Sequence, residues 1–224
     1  MAEASGDAAS QSSLNDQLHD AAAIGDVSAL RGALAAGADV EARRTDSVTR
    51  TPLARVVDPK NDVTEERRTA CVRALLLAGA SPSAPITSPI SSGGTSCWMA
   101  LHEAAFLGLY TVCRLLLDAG ADVNERDGRE CTPLHYAAAR QDNAERRQKL
   151  IALLLSRGGV DGPSVDPGSR SPYLQKVRAA GGFANYQKQH RAKLVAMLAP
   201  KLGHLLPPEL VSVVITFWAP VGLH

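Results

Sequence analysis

Three of the six histidines in this chain stand in one recurring frame. His19, His102 and His135 each follow a leucine and sit two residues ahead of an alanine pair: Leu18-His19-Asp20-Ala21-Ala22, Leu101-His102-Glu103-Ala104-Ala105 and Leu134-His135-Tyr136-Ala137-Ala138. An imidazole is the usual general base near neutral pH, but a catalytic base is needed once, not three times in the same local setting. Outside that frame there is no Ser/His/Asp or Cys/His set and no paired carboxylates, and no Gly-rich phosphate loop follows a strand pattern. The four cysteines, Cys71, Cys97, Cys113 and Cys131, form no Cys-x-x-Cys pair. Zinc ligands come in such close pairs, so a structural zinc site is not predicted. No catalytic residue, metal or cofactor is expected, and the thiols are expected to be free in a reducing compartment.

Composition narrows the class further. The chain has 224 residues, with 24 Lys and Arg against 23 Asp and Glu. That balance lacks the basic excess of a nucleic-acid binder. Aromatics are only 4%, while alanine and leucine abound, which suits close-packed helices better than sheets. Residues 1–13 are polar and small, read as a disordered tail and not as a secretory leader. No apolar run reaches the roughly 20 residues that a membrane span needs. An intracellular protein, in cytoplasm or nucleus, is expected, without nucleic-acid or membrane partners.

The elements that would position the recurring histidines are repeats. Leu101 and Leu134 lie 33 residues apart. Between them runs Val112-Cys113-Arg114-Leu115-Leu116-Leu117-Asp118-Ala119-Gly120-Ala121-Asp122-Val123-Asn124, and Thr132-Pro133-Leu134-His135 opens the next unit. The period and both motifs resemble the ankyrin family. The resemblance implies an all-α fold, an ankyrin-repeat solenoid of stacked helix-turn-helix units joined by hairpin-like turns. Five copies can be laid on the chain, near residues 16–43, 49–80, 97–128, 130–160 and 169–200, so the array covers 14–200. In this family the recurring histidine hydrogen-bonds backbone and steadies the turns between copies.

Each motif residue has a physical reason. Thr51 or Thr132 can cap the first helix, and the proline after it fits the first turn, where its missing N–H costs nothing. The alanine pair lets helices approach closely. The leucine run supplies the apolar face of the second helix, and the following glycine can take a left-handed C-terminal cap. Asn124 is expected to fix its turn by a hydrogen bond; in the family this asparagine is also sometimes hydroxylated. A single unit cannot bury its apolar face alone, so units stack.

The period breaks at three places. Leu53 and Leu101 are 48 residues apart, which assigns one insertion near Asp58–Thr69, as a longer turn between paired helices. A second, the Ser/Pro/Gly-rich 81–95, is expected to be a solvated loop. A third extension is assigned to Gln141–Gln148. In the fifth copy Gly181-Gly182 departs from the family pattern.

The expected function is that of a non-catalytic protein-protein interaction scaffold, a monomer binding another protein on its concave face and hairpin tips. The two positions after the alanine pair point into the concave face by the resemblance. They hold Phe106 and Leu107 in copy three, Ala23 and Ile24 in copy one, and Ala139 and Arg140 in copy four. An exposed aromatic beside a leucine is a natural anchor, unless the 81–95 insertion covers it; Trp98 fits either arrangement. Tyr136 completes this surface. The tip holding Arg126 and Arg129 and the more basic tip with Arg43, Arg44 and Arg50 would set orientation and on-rate. Arg67, Arg68, Arg146, Arg147, His190, Arg191 and Lys193 are expected to form a basic column, either an acidic-partner strip or a solvated face. Residues 201–224 read as a C-terminal helix that caps the last repeat. Alternatively, Leu206-Pro207-Pro208-Glu209-Leu210 resembles the start of an F-box. That reading makes Leu210, Val214, Phe217 and Trp218 an adaptor helix recruiting a ubiquitin ligase.

Overall fold

The computed structural model describes residues 3–89, 95–139, 144–160, 172–202, 207 and 210. It contains ten helices and four strands among those residues. Helices come in pairs: α1 (Glu3–Ile24) with α2 (Val27–Ala35), α3 (Pro52–Val56) with α4 (Glu65–Leu77), and α5 (Ala100–Leu107) with α6 (Tyr110–Asp118). They continue with α7 (Pro133–Ala139) and α8 (Ala144–Ser156), then α9 (Pro172–Ala179) and α10 (Phe183–Leu202). First helices contact first helices, α1 on α3 and α5 on α7, while second helices form their own row of α2, α4, α6 and α8. The two rows meet in one apolar core.

The opening leucines drive this stacking. Leu18, Leu53, Leu101, Leu134 and Leu174 are all at most 2% exposed. Full burial of one such side chain is worth about 1.5–3 kcal/mol. Thr51 stands at the N-cap of α3 and its hydroxyl accepts the Ala54 N–H at 3.4 Å, with Pro52 in the first turn. After each of the first four second helices a glycine takes a positive φ: Gly37, Gly79, Gly120 and Gly158, between 89° and 94°. A Cβ there would carry a steric cost that glycine avoids.

Asn124 fixes its turn twice. Its amide nitrogen donates to the Gly158 carbonyl at 3.0 Å, and its Oδ1 accepts the Val160 N–H at 2.8 Å. Glu41, the corresponding residue of the first unit, accepts the Ser81 N–H at 2.6 Å.

Several expectations need correction. The chain is not purely helical: β1 (Arg44–Thr45), β2 (Thr49–Arg50), β3 (Pro85–Pro89) and β4 (Thr95–Met99) form one antiparallel sheet in that order. Much of 81–95 is therefore ordered hairpin and not solvated loop. Thr49 pairs with Thr87, so the insertion extends the neighbouring hairpin, and Ile86 is fully buried beneath it. Residues 3–13, expected to be a disordered tail, belong to α1. The segment has no proline and is rich in alanine, and its Gln11 side chain donates to the Gly37 carbonyl at 2.9 Å. The turn expected at 58–69 is shorter, because α4 begins at Glu65, capped by Thr64. Likewise α8 begins at Ala144, inside the extension assigned to 141–148. Gly181 and Gly182, both at positive φ, form the turn joining α9 to α10.

Candidate functional site: an aromatic and acidic cleft beside the hairpin tips

The histidines are structural. His102 Nδ1 accepts the Met99 N–H at 3.2 Å, which leaves the proton on Nε2 to be donated to the carbonyls of Glu125 and Cys131, both at 3.1 Å. His19 donates to Ala42 O at 2.9 Å, and His135 Nδ1 accepts the Thr132 N–H at 2.9 Å. Burial lowers the pKa of His19 and of His102, against the backbone bonds that raise it, so both rings are neutral near pH 7. His19 and His102 thus tie their units to the backbone of the following tip, while His135 bonds the start of its own helix.

The position after that histidine carries the chemistry. It holds Asp20, Arg55, Glu103 and Tyr136 in successive units. Each side chain is met by a residue of a hairpin tip. Asp20 takes Arg44 at 2.6 Å, Arg55 pairs with Asp46, Glu103 accepts the Trp98 indole N–H at 3.0 Å, and the Tyr136 hydroxyl donates to Asp127. Burial and the Asp127 bond both raise the Tyr136 pKa. Burial works to raise Asp127, yet bonds from Tyr136 and the backbone N–H groups of Cys131 and Arg129 hold its carboxyl below the ordinary value.

Beneath β4 lies a buried charge cluster. Arg50, 5% exposed, reaches Asp58 and Glu103, each at 3.3 Å. Arg55 also approaches Asp58, at 3.7 Å. Burial pushes the Glu103 carboxyl up to about 7, against the bonds from Trp98 and Arg50 that lower it. Its second oxygen, Oε2, is buried and has no hydrogen-bond partner.

Above this cluster opens a cleft of about 240 Å³. Helix α5 supplies Glu103 and Phe106, α7 supplies Tyr136, β4 supplies Trp98, and the following tip supplies Asp127 and Arg129. Phe106 is 54% exposed and meets Tyr136 edge-on, with ring centroids 6.3 Å apart. Among the described residues of the insertion, 81–89 and 95, none lines the cleft.

The residues singled out from sequence are distributed unevenly. Phe106, Tyr136 and Arg129 converge on the cleft. Leu107 is half-buried against the core, so the expected Phe-Leu pair presents only its phenylalanine. Ile24 is 62% exposed but lies beside Asp26 and Arg67, in a separate depression. Arg126 is exposed and pairs with Glu130 at 3.1 Å. Arg140, Val214, Phe217 and Trp218 lie outside the described residues, and Leu210 is 48% exposed.

At the tip expected to be basic, Arg44 is shared by Asp20, Asp46 and Asp16, Arg50 is buried, and Arg43 is exposed and donates to the Pro85 carbonyl at 3.4 Å. The basic column is also broken. Arg68 is 4% exposed and donates to the carbonyls of Val56, Asp58, Asn61 and Val63, closing the turn before α4. The Arg50–Asp58–Glu103 cluster was missed. Its members stand on separate stretches of the chain, Arg50 and Glu103 being 53 residues apart, so no local pattern joins them.

No helix among the described residues is long and apolar enough to cross a membrane. Known proteins agree with the repeat reading. Residues 101–151 match the family model for ankyrin repeats in many copies. Mouse inversin is 35% identical over 144 residues, covering 64% of this chain and 12% of inversin. An Arabidopsis thaliana serine/threonine-protein kinase, VIK, is 38% identical over 80 residues, covering 34% of this chain and 17% of the kinase. The E3 ubiquitin-protein ligase KEG of the same plant is 34% identical over 103 residues, covering 46% of this chain and 6% of the ligase. The chain thus spans a small fraction of the length of the curated relatives it matches. The matched residues 101–151 run from α5 into α8, so this stretch is similar to ankyrin repeats and is built of paired helices.

Proposed function

We propose that the chain is a non-catalytic protein-interaction scaffold, an intracellular solenoid of about five repeats. It engages another protein with the concave face and the hairpin tips, and acts as a monomer. The observation that carries this reading is Phe106, a large aromatic 54% exposed at a cleft where hydrogen bonds hold Glu103 to Trp98 and Tyr136 to Asp127. Buried aromatics anchor protein interfaces, and a preformed pocket lowers the ordering cost of binding. Ankyrin repeats bind proteins as a general role, and the histidines that might have served catalysis are occupied by backbone.

The test is parallel affinity purification with wild-type chain and Phe106→Ala. A partner retained by the first and lost by the second, at unchanged thermal stability, supports the reading. Identical partner sets remove it. A second reading, a ubiquitin-ligase adaptor working through residues 205–218, is favoured by the exposure of Leu210. Leu210→Ala would then release a ligase subunit while leaving concave-face partners bound.

A further inference from the structure

The last helix pair differs in charge from the rest of the array. Residues 172–202 hold six Lys and Arg and no Asp or Glu, whereas residues 1–42 hold seven Asp and Glu against one Arg. Earlier second helices bring their own carboxylates. Glu65 and Glu66 open α4, Lys149 meets Glu145 on α8 at 2.6 Å, and Arg157, just past α8, meets Asp118 of α6 at 2.6 Å. On α10, Lys188, Arg191 and Lys193 are exposed, and among the described residues none of the three has a carboxylate partner. Lys188 and Arg191 stand three apart, where like charges on a helix repel. With Lys193 they span about 7.5 Å of helix axis. The exposed residues around them, Asn185, Gln189 and Ala192, carry no charge. The other side of α10 is taken, because Phe183 and Tyr186 pack half-buried against the core.

We propose that the outer face of α10 docks an acidic segment of a partner protein, which brings Asp or Glu side chains to Lys188, Arg191 and Lys193. Arginine can grip a carboxylate through two parallel N–H bonds, and the lysines add point charges on either side. Opposite charge at these positions also relieves the repulsion along the helix. This surface shares no residue with the cleft at Phe106.

The charge could attract other anions, and each fits less well. A second copy offers an acidic first unit, but its carboxylates are engaged: Asp26 caps α2, Glu41 holds the Ser81 N–H, and Asp16 and Asp20 share Arg44. Single-stranded nucleic acid is held by cations interleaved with exposed aromatic rings. Here Tyr173 is buried, and the ring of Tyr186 lies between Tyr173 and His190. A helix lying on a lipid surface sinks its apolar side into the headgroups, and that side of α10 faces the core.

The experiment follows fluorescence anisotropy of a labelled peptide of alternating Glu and Ala, about ten residues long, titrated with the full chain at about 0.1 M salt. Saturable binding is expected, weakening several-fold by about 0.5 M salt. Lys188→Gln/Arg191→Gln/Lys193→Gln weakens it about tenfold, since each exposed pair contributes about twofold. Lys188→Arg/Lys193→Arg keeps the charge and retains binding. Arg44→Gln/Arg157→Gln, which removes cations that have carboxylates of their own, leaves it unchanged, as does Phe106→Ala. Equal binding by the triple variant and wild type, loss in the arginine pair, or equal binding of a Gln-and-Ala peptide each overturn the proposal. So does tighter binding, through the same three residues, of oligothymidylate or phosphatidylserine vesicles, or self-association in sedimentation that the triple variant abolishes. If Phe106→Ala abolishes protein capture while the triple variant still holds the acidic peptide, the concave-face reading stands and the acidic segment falls.

Discussion

Arg44 and Arg50 face each other across one hairpin, paired in register between β1 and β2, yet they live in opposite surroundings. The Arg44 side chain is 34% exposed and spreads its charge over Asp16, Asp20 and Asp46. The Arg50 side chain is 6% exposed and serves two carboxylates that are themselves buried. The first group trades one set of solvated partners for another, so its net worth is small. In the second, each charge depends on the other two, because water cannot replace a missing member. What separates them is position: Arg50 stands on the inner strand β2 and reaches Glu103 on α5, whereas Arg44 sits on β1, the outer strand.

The largest consequence of that difference is for Arg50→Met. It leaves Glu103 buried without its counterion and Asp58 with Arg55 alone, at 3.7 Å, and is expected to cost about 3–5 kcal/mol in urea unfolding. A loss below about 1 kcal/mol would mean that the cluster is as dispensable as the exposed one. An intermediate effect is expected from titration. The Glu103 carboxyl is raised from 4.5 to about 7 in the folded chain, so between those values the native state holds a proton that the unfolded state has released. Stability therefore falls as pH rises through this window. Comparing wild type with Glu103→Gln isolates this slope from the buried histidines, whose lowered pKa values act in the opposite direction. The wild type should lose about 1–3 kcal/mol relative to the variant across the window. The smallest effect is for Arg44→Ala, less than about 1 kcal/mol and vanishing in high salt.

How far sequence alone carried the fold can be traced residue by residue. The opening leucines, the Thr51 cap and the glycines after the second helices declare themselves because their roles are local: a helix face, a first turn, a positive φ. His102 was legible for the same reason, since its frame recurs. Arg50 was not. Read locally it is one of three arginines on a polar tip, and its partner Glu103 lies 53 residues away. Burial of a charge is decided by what folds against it, and here Glu103 comes from a helix beyond the 81–95 insertion. Arg68 misleads in the same way, because four carbonyls from a preceding turn determine where it points. Within the cleft, Phe106 was legible from its repeat position, while the pairing of Glu103 with Trp98 became visible only once the strand and helix were side by side.

The strand ladder also has a mechanical meaning. Stacked helical units joined only by side-chain packing behave as a spring, each junction yielding a little under load. Here backbone bonds run across successive tips, from β1 through β4, and the Gly128 N–H extends them to Cys97 O at 2.7 Å. Bending the array at the junction that carries Glu103 would shear those bonds. The cleft therefore sits beside the stretch that these backbone bonds brace. A partner must match a curvature that is already set.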